Sequence, residues 1–213
     1  MNLQLYFSPG ACSFVPHVGL EAAGAPFEPK LVKLHKGEQR TPEYLAMNPN
    51  GQVPVLVVDG KPLAQIVAIC DFIDRAFPAA GLLPRDAWER SQALSQLAWM
   101  NSTAHTTATR FFFPERYAET QGGQAEVKKR AGDEFRGYLQ RIEKGVPASG
   151  YWLGERPSFH DAYAFTLLRW GGFAGIDPRS MPGYLAYAER VLQAVPVAAA
   201  AARERIRLDT YKA

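Results

Sequence analysis

The spacing of apolar residues divides this chain near residue 80. Leu3, Leu5 and Phe7 alternate with Gln4 and Tyr6, the period of a half-buried strand. Ser8-Pro9-Gly10 is turn chemistry, and the segment from Phe14 then reads as a helix that Gly24 stops. Pro16 is tolerated only in a first turn, which predicts a helix start near Ala11 to Ser13. Phe27 to Leu34 reads as a second strand and His35 to Arg40 as a polar loop. Thr41-Pro42-Glu43 has the cap, the N1 proline and the acidic first turn of a short helix. Val55 to Val58 is a wholly apolar strand, Asp59-Gly60 a hairpin turn, and Lys61 to Ala64 the antiparallel return. Ile66, Val67, Ile69, Cys70, Ile73 and Phe77 recur at helical spacing until Pro78. The predicted order β-α-β-α-β-β-α is a small α/β layer fold.

Beyond a linker containing Gly81 and Pro84, every periodic segment is helical. Asp86 can cap a long helix from Ala87 to about Phe113. Gln121-Gly122-Gly123 reads as a break before an amphipathic helix, Ala125 to Lys144. Ser158-Phe159-His160-Asp161 is a capping box with Asp where Glu is usual. Two more helices are predicted from about Pro182 and Pro196. The expected domains are therefore residues 1–79, a linker at 80–87, and an all-helical domain at 88–213.

Composition narrows the function classes. At 47% hydrophobic and 21% charged, the 213 residues suit a soluble globular protein with ample core. The net charge of +3 is scattered, and its densest stretch, Arg203, Arg205, Arg207 and Lys212, is interrupted by Glu204 and Asp209. That pattern predicts a solvated helix face, with no nucleic-acid partner. No apolar run is long enough to span a membrane, and the start does not read as a secretory signal, so a cytoplasmic location is expected. Cys12 and Cys70 are then expected to be unpaired, and no Cys/His spacing suggests a metal.

The candidate chemistry begins at Cys12. It falls where a helix must start, among unpaired N–H groups and a partial positive charge, and a thiol there is biased towards thiolate. A small core residue is the plainer use of a free Cys. Cys70, among Val67, Ile69 and Ile73, reads as such a core residue. Asn101-Ser102-Thr103-Ala104-His105-Thr106-Thr107 puts many short polar groups on the long helix, as a cleft lining would.

Four segments, in order, carry a resemblance: Pro9-Gly10-Ala11-Cys12-Ser13, Asn48 to Pro54, the Ser158 capping box followed by Ala162-Tyr163, and Leu168-Arg169-Trp170. Together they resemble the cytosolic glutathione transferases, closest to the bacterial beta class. The resemblance implies an α/β thioredoxin-like domain followed by an all-α domain, and a cytoplasmic, homodimeric detoxification enzyme. Its reaction joins the thiolate of glutathione, the co-substrate, to small electrophiles. A thiol–disulfide oxidoreductase acting through Cys12, or a non-catalytic ligand- or partner-binding protein, is the alternative.

Residue by residue, the resemblance implies a cis bond at Val53-Pro54. The Val53 backbone would pair with the cysteinyl unit of glutathione, flanked by Gln52 and Pro54. Gln65 would take the γ-glutamyl end; Ile66 departs from the family pattern, supplying only its N–H where a small or hydroxyl residue is usual. Lys36 would take the glycyl carboxylate. Ser13 would donate to the sulfur or cap the helix. His105 is the candidate proton partner, although counting from Trp99 puts Ala108 nearer the family position. Tyr6, Thr109 and Phe112 are expected in the co-substrate pocket, with Tyr6 packing rather than reacting.

Overall fold

The computed structural model describes residues 1–209; Lys212 and the end of the expected helical domain lie outside the described residues. The sheet has the order β2-β1-β3-β4, with β1 Leu3–Phe7, β2 Glu28–Leu31, β3 Val55–Val58 and β4 Lys61–Ala64. β1 runs parallel to β2 and antiparallel to β3, with Leu5 opposite Pro29 on one side and Leu56 on the other. The strand alternation of β1 is realised as two faces. Leu3, Leu5 and Phe7 join the main core with α1 (Phe14–Ala22) and α3 (Ile66–Ala76). Tyr6 packs on the other face with Tyr44 of α2 (Pro42–Met47), Val53, Val55 and Val57. Both edge strands carry a proline, Pro29 in β2 and Pro62 in β4, beside Glu28, Lys30 and Lys61.

The helical part comprises α4 (Ala87–Trp99), one π-helical turn at Met100–Ala104, α5 (His105–Phe112), α6 (Gln121–Gly145), α7 (Phe159–Phe173), α8 (Pro182–Gln193) and α9 (Val195–Glu204). α7 is buried along most of its length. It lies so close to α1 that a Cβ on Gly19 would sit 2.2 Å from Phe159 Cε1. Asp161 builds the predicted capping box, accepting from Ser158 N (2.7 Å) and Oγ (2.6 Å). It also takes Trp152 N at 2.9 Å and the Tyr187 hydroxyl. Arg90 of α4 binds Asp74 of α3 at 2.7 Å, and Asp74 accepts from Leu83 N at 3.0 Å, which fastens the linker to the sheet domain. Among the described residues no helix is long and apolar enough to cross a membrane.

Three expected boundaries move. α1 begins at Phe14, because Phe14 N→Ala11 O and Val15 N→Cys12 O close a tighter turn first. β2 stops at Leu31, and the chain from Leu34 to Arg40 forms two 3₁₀ turns hinged at Gly37, φ 74°. α6 begins at Gln121 rather than after a break. Gly122 and Gly123 occupy its first turn, where backbone N–H groups lack helical partners anyway, and the Thr120 hydroxyl accepts from Gly123 N.

Candidate active site

The loop after β1 is built from its own polar groups. Ser13 Oγ donates to Ser8 O at 3.2 Å and accepts from Ser8 N at 3.1 Å. The expectation of Ser13 as a helix cap is corrected: its hydroxyl closes the loop on Ser8, and no side-chain cap bond forms. Gly10 turns the chain at φ 71°. The loop delivers Cys12 against the strand entering β3, where its thiol donates to Val53 O at 3.4 Å.

The Val53 edge has its own support. Val53-Pro54 is cis, as the resemblance implies. The Tyr44 hydroxyl and Asn48 Nδ2 both donate to Gln52 O at 2.8 Å, which pins the backbone just before Val53. Gln65 is exposed and left-handed, φ 75°, immediately before α3; Ile66 is buried as the first residue of that helix. Lys36 stands exposed on the first 3₁₀ turn.

The thiol itself departs from expectation. Burial pushes Cys12 up to about 12, from an ordinary value of 9.0. The Cys12 and Ser13 backbone N–H groups pull the other way, as a helix start should, and Glu204 adds a smaller upward push. Desolvation wins because Cys12 is 7% exposed, and the charged form loses its water there. In the ligand-free chain burial therefore works against the thiolate that a helix start favours. Cys70 is fully buried and pushed up by the same cause, as a core thiol should be.

His105 does not hydrogen-bond the sulfur. The Tyr163 hydroxyl donates to Asn101 Oδ1 at 3.0 Å and stands 2.8 Å from His105 Nδ1. A hydroxyl has one hydrogen, so His105 Nδ1–H is the donor in the second bond. Burial holds His105 down to about 4, hence neutral. Asn101 and His105, four residues apart, share a face and meet the same phenol. The imidazole lies edge-on to Trp170, 4.8 Å between centroids, and Trp170 Nε1 donates to Gly10 O at 2.9 Å. His105 therefore reaches the Cys12 loop through Trp170.

The expected co-substrate residues separate. Tyr6 stacks edge-on to Tyr44 at 5.9 Å, in the smaller cluster. Phe112 joins the main core, and Thr109 Oγ1 bonds back to His105 O at 3.1 Å. A cavity of about 400 Å³ lies elsewhere, lined by Phe111, Lys128, Lys129, Arg136 and Ile176 among others, and by none of the expected residues. Tyr163, Trp170, His17 and Glu204 are the site neighbours that pattern reading missed. Trp170 and Tyr163 stood in the segments carrying the resemblance, but their partners lie far away in sequence. Glu204 read as a mere interruption of basic charge.

A thioredoxin-like sheet domain that presents a cis-proline edge, joined to a helical bundle packed on it, defines the glutathione transferase class. The chain belongs to the glutathione S-transferase family. Residues 1–75 match the family model "Glutathione S-transferase, N-terminal domain". Glutathione S-transferase GST-4.5 of Xanthomonas campestris pv. campestris is 32% identical over 200 residues, 93% of this chain and 97% of the relative. The solved glutathione transferase homologue from Sulfitobacter, with bound glutathione, superposes with TM-score 0.89 at 28% identity, covering 96% of this chain and 99% of that one. The bacterial beta class enzyme of Sphingomonas chungbukensis superposes with TM-score 0.82 at 32% identity, covering 94% and 98%.

Proposed function

We propose that the chain conjugates the glutathione thiolate to small electrophiles, as a cytoplasmic homodimer in detoxification. Residues 1–79 hold glutathione, 80–87 link, and 88–213 supply the co-substrate side. The observation that carries the reading is the Cys12 thiol on the Val53 carbonyl. An extended peptide that pairs with the Val53 backbone puts its own cysteinyl side chain beside residue 12. Gln65 then accepts from the γ-glutamyl ammonium, and the N-terminus of α3, with the Ile66 N–H, favours the adjacent carboxylate. Gln52 and Pro54 flank the peptide, and Lys36 meets the glycyl carboxylate. Thr109 and Phe112 face the electrophile from the helical side, with Tyr6 backing the peptide through Tyr44.

In the reaction the thiol proton leaves to solvent. The sulfur lone pair then forms a bond to the electrophilic carbon, which releases its leaving group. The loop N–H groups of Cys12 and Ser13 supply the stabilisation of the thiolate. The oxidoreductase alternative needs Cys12 itself as nucleophile, and a thiol held protonated by burial is poorly suited to that.

The test is calorimetric titration of the purified protein with glutathione, then turnover of an activated aryl halide. Binding with conjugation supports the proposal. Binding with disulfide reduction alone moves the assignment to the redox alternative, and neither moves it to a non-catalytic binder.

A further inference from the structure

Gly10 has both of its backbone polar groups held by the helical domain. Its N–H donates to Glu204 Oε2 at 2.9 Å, a bond across 194 residues of sequence. Its carbonyl accepts from Trp170 Nε1 at 2.9 Å. Glu204 ends α9, and its other oxygen is fixed by His17 Nδ1 of α1 at 2.7 Å, with both side chains fully buried. Above the glycine the space is tight: a Cβ would meet Arg169 Nη1 at 3.1 Å and Ile206 Cγ2 at 3.6 Å. Arg169 itself donates through Nε to Arg207 O at 2.5 Å, in the segment that follows α9.

We propose that Glu204 and Trp170 are positioning residues for the sulfur site. They fix Gly10 from the second domain, and so set where the loop places Cys12 against Val53. The loop's own bonds, Ser13 with Ser8, close the turn but leave Gly10 without a partner in the first domain for either group. Gly10 is half-buried, and its N–H and carbonyl take their protein partners from α9 and α7, which hold the loop on its observed path. Placement matters because a shift of about 1 Å at a reacting sulfur can cost about a hundredfold in rate. Glu204 does this as an acceptor already oriented by His17, so little ordering remains when the substrate arrives. The proposal rests on the Val53 edge being the glutathione site.

The experiment compares Glu204→Leu, Glu204→Gln and Trp170→Phe in the full chain. It reads peptide-resolved alkylation of Cys12 by iodoacetamide at one pH, with Cys70 as internal control, and amide exchange of residues 8–14. It then reads KM for glutathione separately from kcat. Glu204→Leu is expected to speed Cys12 alkylation and loop exchange by about tenfold and to raise KM by a similar factor. Glu204→Gln keeps an acceptor for Gly10 and should stay within about threefold of the parent. Trp170→Phe deletes only the indole donor and should fall between the two.

Parent-like alkylation, exchange and KM in both Glu204→Leu and Trp170→Phe overturn the proposal. So does a Glu204→Gln protein as impaired as Glu204→Leu, which assigns the residue to charge pairing with His17 instead. If Glu204→Leu does not fold, Trp170→Phe decides alone. Should the parent protein show no glutathione turnover, alkylation and exchange still judge the clamp, and only the functional reading fails.

Discussion

The Cys12 thiol and the Val53 carbonyl are hydrogen-bonded, sulfur to oxygen 3.4 Å, across the two loops that converge on the site. The thiol is consequently a protonated donor in the ligand-free chain. Cys12→Ala is expected to keep conjugation within about tenfold of the parent, because the loop N–H groups remain. Near-total loss of disulfide reduction in that variant, with conjugation kept, would instead make Cys12 a nucleophile for disulfides.

The same thiol makes stability depend on pH. The folded state keeps the Cys12 proton up to about 12, whereas an unfolded thiol loses it near 9.0. Between those values the folded state binds more protons than the unfolded one, so stability falls as pH rises through that window. Cys70 pulls in the same direction. Urea unfolding at pH 7 and pH 10 should show a smaller loss for Cys12→Ala than for the parent. An equal loss would show that the thiol is not held protonated by the fold.

His105 gives the opposite sign at the acid end. Burial holds it down to about 4, against an ordinary 6.5. Below pH 6.5 the unfolded state takes up a proton that the folded state refuses, so stability falls from there towards pH 4. His160, held down by burial as well, adds to the trend. His105→Gln should flatten the acid limb, and kcat should show no inflection from this imidazole near neutrality. An inflection that disappears in His105→Gln would restore it as a proton partner.

Much of the architecture is legible because local chemistry and tertiary packing agree. Leu3, Leu5 and Phe7 alternate and are buried together; Ser158 and Asp161 cap the helix they were expected to cap. The site is less legible because its decisive terms are non-local. Nothing around Cys12 in sequence announces that desolvation outweighs the helix start. Nothing around His105 announces that Tyr163, 58 positions away, takes its Nδ1. A π turn changes the face count along a helix, and the one at Met100–Ala104 is not visible in the spacing of the residues.

Asp161 is expected to matter more than a cap. Besides Ser158 it satisfies Trp152 N and the Tyr187 hydroxyl, all at a fully buried carboxylate. Ser158→Ala should cost about 0.5–2 kcal/mol, but Asp161→Ala about 3 kcal/mol or more, since buried donors lose their acceptor. Chemical unfolding measures both. Equal losses would reduce Asp161 to its capping role.

Two glycines test the packing of the helices in opposite senses. Gly19→Ala should destabilise by about 1–3 kcal/mol, because the new methyl meets the Phe159 ring at 2.2 Å. Gly137→Ala, inside α6 with nothing within 4 Å of its added Cβ, should stabilise by about 0.5–1 kcal/mol. A melting temperature that does not fall in Gly19→Ala would contradict the close approach of α1 and α7.

The prolines in β2 and β4 bear on how copies of this chain can meet. Each outer strand is four residues long, and each lacks one N–H and bears charged side chains. Such borders are poor templates for a further strand and disfavour lateral growth of the sheet. If copies of this chain associate, side chains on the helices are left to read out the contact, and their complementarity can be altered one position at a time. Any such recognition is a matter of surface sequence, free to diverge while the backbone ladder stays as it is.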